Sequence, residues 1–587
     1  MKLLRNAIIP SISETMLNLG IDENDWSGLI GNATDLSHGD IALPCHSLSR
    51  ILKRSPKDIA DDISTDLEMK LLHIATTSSI NGFVNFKATD SWLSDQVSII
   101  NYDPKLGIKI EEKKTIIIDY SSPNVAKRMH VGHLRSTVIG DALARILAYK
   151  GHQVIGENHI GDWGTPFGML IEHFLESEDM NVDDIDLENF YKDARYKFDN
   201  SEDFANRSRK RVVKLQSKES ESIGLWKELV DISLLHFNEV YHMLNVLLND
   251  ENLAGESIYE EILPEVVQRL DDQGMLVESN GALVVFPEGW VNRENEPLPL
   301  IIRKGDGGYN YATSDLACII NRVENIGGTE FLYVVGAEQS QHFDMVFQVA
   351  RQANFMDDSV KSVHIPFGLI VGTDGKKLAS RDGEAISLKD LLEESIIRAN
   401  QSILKKNPMM EESEREKISR MIGIGSVKYA DLSVDRNKNY VFDWEKMLSF
   451  EGNTAPYLQY AHARICSIFR KASTNKEKFE NNKILVTNEN EAKIARILLS
   501  FSDSLDEAIG NYAPHRLAVY LHKLAQEFAS FYENCPVLVY DSESIMNSRL
   551  ALCSLTARTL STGLNLLGID SPAVSYTHLT LPTNLRV

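Results

Sequence analysis

Residues 121–161 read SSPNVAKRMHVGHLRSTVIGDALARILAYKGHQVIGENHIG, and this stretch decides the fold. Just ahead of it Thr115–Asp119, TIIID, is a short apolar run of the kind that forms a buried strand. Leu134, Val138, Ala142, Leu143, Ile146 and Leu147 then recur at helical spacing, which predicts a helix over about 134–150, stopped by Gly151 in the C′ position. Gln153–Glu157 predicts a second strand. The unit is strand, loop, helix, strand, and its loop carries His130-Val-Gly-His133. A helix start offers free backbone N–H groups and the positive end of a dipole, where phosphate binds. Gly132 lets a ligand approach the backbone closely. His130 and His133 are three apart and can share one face of the first turn. Imidazoles so placed can donate hydrogen bonds to phosphate oxygens whose charge grows in a transition state. Alone, His-x-Gly-His is a weak signal, because paired histidines at a helix start also serve as packing or surface residues.

With 587 residues the chain is too long for one core, and about three or four domains are expected. Its 43% hydrophobic and 25% charged content are those of an ordinary globular protein. The net charge of −23 argues against indiscriminate nucleic-acid binding, although basic residues gathered locally can still hold RNA. The five cysteines form no C-x-x-C pair, so neither a zinc site nor a disulfide framework is expected, and a reducing, cytoplasmic setting fits. Pro10 and the polar residues after it break the N-terminal apolar run, which reads against a signal peptide. No run of ~18 apolar residues suggests a membrane span.

Residues 1–105 read as a small α+β domain, with strand alternation over Ile80-Asn-Gly-Phe-Val-Asn-Phe86 and with Val84 and Phe86 on one face. Residues 106–400 read as the nucleotide-binding domain. Within it, about 165–280 are long, polar and helical, an insertion between two halves of a sheet. Arg207–Lys214, RSRKRVVK, is the densest basic patch, either a solvated helix face or an RNA contact. Alternation resumes with strands at 282–286, 331–335 and 363–370 and helices at 314–325 and 341–352. The prediction is a doubly wound, Rossmann-type α/β sheet, mostly parallel, of about five strands. Residues 401–572 read as an all-α domain. There Tyr457, Tyr460 and Arg464 fall on one helix face, as core or as a stacking surface for single-stranded bases. The run 573–587, AVSYTHLTLPTNLRV, is threonine-rich and aperiodic and reads as a cloning or assembly scar.

Three loops could carry chemistry. His159-Ile-Gly-Asp-Trp-Gly-Thr-Pro166 follows a strand, where open α/β sheets hold ligands. Tyr309–Ala317, YNYATSDLA, puts Tyr311 and Asp315 at a helix start; Asp315 is either a first-turn acid favoured by the dipole or a partner for a cationic substrate. Gly372–Gly383, GTDGKKLASRDG, is glycine-bounded and carries Lys376 and Lys377, able to close over a triphosphate or to be an ordinary surface hairpin.

Taken together, SPNVAK…HVGHLRST, GDWGTP, KLASR and EGNTAPYLQYAHARI resemble the arginyl-tRNA synthetase form of class I aminoacyl-tRNA synthetases. The resemblance spans the N-terminal domain to Gly568. It implies an arginine–tRNA ligase that binds ATP, with Mg2+ arriving in the substrate complex and no protein-held metal. His130, Gly132, His133, Gly161, Asp162, Lys377 and Ser380 would bind ATP. Lys127, ahead of the HVGH motif, would compensate for the degenerate 377–381 loop, with Lys376 or Lys377 adding charge. Asn124, Glu256, Tyr311, Asp315 and Gln339 would hold L-arginine. Phe83 and Asn85 would touch the tRNA elbow, and Tyr457, Tyr460 and Arg464 the anticodon of tRNA(Arg). A monomer with no membrane partner is the expected working form. Two rivals remain: an inactive tRNA-binding paralogue, and a class I synthetase for cysteine or glutamate.

Overall fold

The computed structural model describes residues 1–35, 37–177, 187–378, 385–538 and 542–573. At its centre β1 (Thr115–Asp119), β2 (Gln153–Glu157), β3 (Glu330–Tyr333) and β4 (Lys361–His364) form one parallel sheet in the order β4-β3-β1-β2. Both faces of β1 are covered. Ile116 and Ile118 pack in one core with Val138 and Leu143 of helix α1 (Leu134–Tyr149). Ile117 packs in another with Leu316 of α2 (Tyr311–Ile320) and Val346 of α3 (Ser340–Gln352). That burial explains the unbroken apolar run, since a strand covered on both sides does not alternate.

The chain leaves β1 for β2 on one side and returns to β3 on the other, so a crevice opens between the loops that follow β1 and β3. Those loops are 120–133, which carries HVGH, and 334–339.

The expected sheet of about five strands has four among the described residues. Ala282–Val285 belongs to a separate antiparallel sheet with Val277–Ser279 and Leu300–Arg303. Asn280 and Gly281, both with positive φ (51° and 77°), close the hairpin, and Asn-Gly is the favoured pair for that turn. The expected 363–370 strand is also split. Beyond His364 the chain meets Pro366, and Ile370–Val371 pairs instead with Tyr440–Val441.

The insertion holds the helices Thr165–Leu175, Leu187–Asn200, Glu202–Gln216 and Ser220–Leu244. Pro166 sits in the first turn of its helix, where a missing N–H costs nothing. The basic patch is no bare positive face. Arg207 bonds Glu172 at 3.1 Å and pairs with Glu176 and Asp203, while buried Arg211 bonds Glu172 at 2.7 Å.

In the N-terminal domain Phe83–Ala88 is flanked by Ile41–Pro44 and Ala75–Ile80. Val84 and Phe86 are buried, as the alternation implied. The helical region runs through Leu388–Lys406, Glu412–Leu432, Ala455–Lys471, His515–Asn534 and Glu543–Leu566. The boundary expected at 400 falls inside the first of these helices. Leu517, Leu521, Leu524, Phe528 and Phe531 form a buried stripe. Residues 574–587 lie outside the described residues.

Candidate active site

The segment between β1 and α1 is held in an unusual backbone shape. Ser121, Ser122 and Ala126 all have positive φ, which L-residues adopt at a cost and which clusters at functional sites. Side chains from elsewhere bond this backbone: Ser136 Oγ accepts from Ser121 N–H at 2.9 Å, Asn158 Oδ1 from Ser122 N–H at 3.0 Å, and Ser233 Oγ from Ala126 N–H at 3.0 Å.

The HVGH motif follows. His130 caps the turn Val131–His133, its Nδ1 accepting the Gly132 N–H at 3.0 Å, while His133 Nδ1 accepts the His130 N–H at 3.1 Å. Each ring is therefore a neutral tautomer whose Nε2–H remains as donor. Burial lowers both pKa values, His133 to about 4, and the Lys377 and Lys127 charges add to the effect on His130. The ring centroids are 4.1 Å apart. A Cβ on Gly132 would stand 2.7 Å from His130 Cε1, so only glycine lets that ring fold back.

Val131 N–H donates to Ile386 O and Leu388 N–H to Met129 O, each at 2.9 Å. The exit of the lysine loop is thus pinned to the histidine turn. Its entry is a hairpin in which Gly372 N–H meets Lys376 O at 2.8 Å and Val371 bridges Lys377. Lys376 and Lys377 are exposed, and Ser380 lies outside the described residues. Lys127 stands over the Tyr191 ring at 4.4 Å.

Acids line the next part of the crevice. Asp162, expected to bind ATP, has its carboxylate engaged by Ser257: it accepts Ser257 N–H at 2.9 Å and Ser257 Oγ–H at 2.6 Å. It therefore braces the turn that carries Glu256, and a Cβ on Gly255 would collide with it at 2.4 Å. Burial pushes the Glu256 acid up to about 7, with Asp162 and Asp315 adding repulsion and His159 opposing. Asp315 lies 2.6 Å from His342 Nε2. Tyr311, four residues before Asp315, and Gln339, three before His342, are exposed, and Asn124 is exposed and bridged to Gly161. His159, stacked on Tyr259 at 5.6 Å, and His342 are site neighbours that the sequence reading missed. Both are lone histidines with no spacing signal, although His342 stands three residues after Gln339.

Two other acids at strand ends, Asp119 and Glu157, are not free for chemistry. Buried Arg322 takes both, at 2.7 and 2.8 Å.

The expected RNA contacts are distant in sequence from this crevice. Phe83 is 37% exposed, enough to offer a ring face, but Asn85 is buried and its amide approaches Phe83 O at 3.5 Å, so it is not placed to read a base edge without moving. Tyr457 and Tyr460 are half-buried, and the Arg464 guanidinium lies 4.4 Å from the Tyr532 ring. Among the described residues no group of three or more His, Cys, Asp or Glu could hold a metal, and no helix is long and apolar enough to cross a membrane.

Comparison with known proteins agrees with this geometry. Residues 96–444 match the family of the class I (R) tRNA synthetase catalytic domain, 2–88 the arginyl tRNA synthetase N-terminal domain, and 458–574 the DALR anticodon binding domain. The chain is 48% identical to an arginine–tRNA ligase of Thermobifida fusca over 90% of its own length and 92% of the relative's. It is 45% identical to that of Shewanella woodyi over 92% and 94%. Among solved structures, arginyl-tRNA synthetase of Plasmodium falciparum superposes with a TM-score of 0.78 at 27% identity, over 93% of this chain and 94% of that one. The parallel sheet, the histidine turn spliced to a lysine hairpin and the flanking domains thus have one common source: the chain belongs to the arginyl-tRNA synthetase family of class I aminoacyl-tRNA synthetases.

Proposed function

We infer that this chain, an arginine–tRNA ligase, divides its crevice between two substrates. The arginine carboxylate attacks the α-phosphate of ATP, giving arginyl-adenylate and pyrophosphate; the arginyl group then passes to the 2′-hydroxyl of the terminal adenosine of tRNA(Arg). Little covalent chemistry falls to the protein, so positioning and charge stabilisation supply the rate. The Nε2–H groups of His130 and His133 donate to phosphate oxygens, and Lys127, Lys376 and Lys377 neutralise charge as pyrophosphate leaves. Mg2+ accompanies the nucleotide and is held mainly by its phosphates. Asp315 and Glu256 receive the guanidinium, whose planar fork suits two carboxylates, with Asn124, Tyr311 and Gln339 completing the pocket. Lysine, a point charge, cannot satisfy both acids. The working form proposed is a monomer in a reducing, cytoplasmic setting, which the five free cysteines suit.

The observation that supports this reading is the turn that Asp162 braces through Ser257: burial raises the Glu256 pKa there, with Asp162 and Asp315 adding repulsion that an arriving cation would relieve. The test is pyrophosphate exchange with tRNA present, using arginine, lysine, cysteine and glutamate in turn. Exchange with arginine alone supports the reading. Exchange with none supports the inactive paralogue, and exchange with cysteine or glutamate a different synthetase.

A further inference from the structure

Asp315 is near the start of α2 and His342 near the start of α3, so the His342 Nε2 to Asp315 Oδ2 contact of 2.6 Å joins two walls of the crevice. Both side chains are partly withdrawn from water, 29% exposed for His342 and 19% for Asp315. The edge of Phe343 packs against the imidazole at 5.5 Å. Burial works against a charged ring, but the bond to Asp315 and its charge outweigh it and raise the His342 pKa. The charged group acting on the ring is Asp315. On other elements Glu256 interacts with Asp315, and His364 of β4, stacked beyond Phe343, has its pKa lowered chiefly by burial, with Arg436 adding and the Val335 carbonyl, Asp344 and Glu338 opposing. A second cation brought to the same carboxylate repels the first, and the half-buried setting strengthens that repulsion.

We propose that His342 is a proton-linked positioning residue: as imidazolium it pairs with Asp315, and when a guanidinium engages that carboxylate it gives up its Nδ1 proton to solvent while Nε2–H keeps hold of Oδ2. The inference rests on Asp315 being a ligand for arginine, as proposed above. No bond other than Nδ1–H breaks, and water or buffer accepts the proton. Holding Oδ2 through a neutral N–H leaves Oδ1 aimed at the ligand, so His342 serves both orientation and charge balance. A lysine ammonium would meet the same imidazolium without the second fork contact that repays its discharge, so the device favours arginine.

The test is isothermal titration of L-arginine into the full chain near pH 6.5 in two buffers of different ionisation enthalpy, for the wild type, His342→Gln and His342→Ala. Glutamine keeps a neutral N–H where Nε2 stands but cannot titrate. The wild type should release protons on binding, Glu256 adding its own share. His342→Gln should release fewer by most of one proton, with affinity within roughly tenfold, and His342→Ala should lose affinity as well. Wild-type binding without buffer-dependent heat, or equal release by wild type and His342→Gln, would overturn the proposal. Failure of the folded wild type to bind arginine would instead defeat the assignment of the pocket. Should the variants not fold, NMR of the wild-type His342 ring decides: arginine must convert its imidazolium signal to the neutral form, and an unchanged signal overturns the proposal.

Discussion

Arg135 Nε lies 3.1 Å from Asp431 Oδ1, and both side chains are at most 1% exposed. Arg135 is the second residue of the helix that HVGH begins, and Asp431 is near the end of Glu412–Leu432 in the helical region. The same guanidinium donates through Nη1 to Gly368 O at 2.9 Å and Lys438 O at 2.8 Å. Those carbonyls stand just before Ile370–Val371 and Tyr440–Val441, the paired strands at the root of the lysine hairpin. One buried cation therefore ties the histidine helix, the lysine hairpin and the helical region together.

Arg135→Ala leaves Asp431 buried without a counter-charge, and removing one member of such a pair costs about 3–5 kcal/mol. Urea unfolding should show that loss. The double variant Arg135→Met/Asp431→Leu should recover much of it, because no charge is then left buried, yet pyrophosphate exchange should stay low, because the hairpin root is untethered.

Gly132→Ala places a methyl 2.7 Å from His130 Cε1 and forces that ring aside. A displacement of about 1 Å costs about 10²-fold in rate. Exchange kinetics should show a fall in kcat with the arginine KM unchanged and with thermal stability close to wild type, since Gly132 is exposed.

The His133 pKa of about 4 lies below the ordinary 6.5 that the unfolded chain displays. Between those values the unfolded state binds more protons, so this contribution to stability is complete above pH 6.5 and is lost as the pH falls toward 4. Denaturant midpoints measured across that range should fall more steeply for wild type than for His133→Asn.

Asp315→Asn and Glu256→Gln keep the pocket's shape but withdraw a negative charge. Truncating a buried hydrogen-bonded charge pair costs about 2–5 kcal/mol, which is about 30- to 5,000-fold in affinity. The arginine KM should rise by that order while the ATP KM moves little; an equal rise in both would make the acids structural.

Much of this architecture was legible from residue patterns, for physical reasons. Ile116, Ile117 and Ile118 announced a strand buried on both faces, and the spacing from Leu134 to Leu147 announced the helix behind it. The Asn280-Gly281 hairpin was equally readable and was overlooked, which put a strand in the wrong sheet. The partner of Asp162 could not be read from the sequence: its neighbours suit a ligand loop, but its oxygens are engaged by Ser257, 95 residues away. The His342 and Asp315 pairing and the Arg135 tether likewise join segments remote in sequence, and no local periodicity encodes them.

The most direct measurement is arginine-dependent pyrophosphate exchange with tRNA present, comparing wild type with His130→Ala, His133→Ala and Asp315→Asn. The histidine variants should lose about 10²–10³-fold in kcat with the arginine KM nearly unchanged, and Asp315→Asn should show the reverse. Histidine variants of full kcat, or an Asp315→Asn enzyme of unaltered arginine KM, would contradict the division of the crevice between triphosphate and guanidinium.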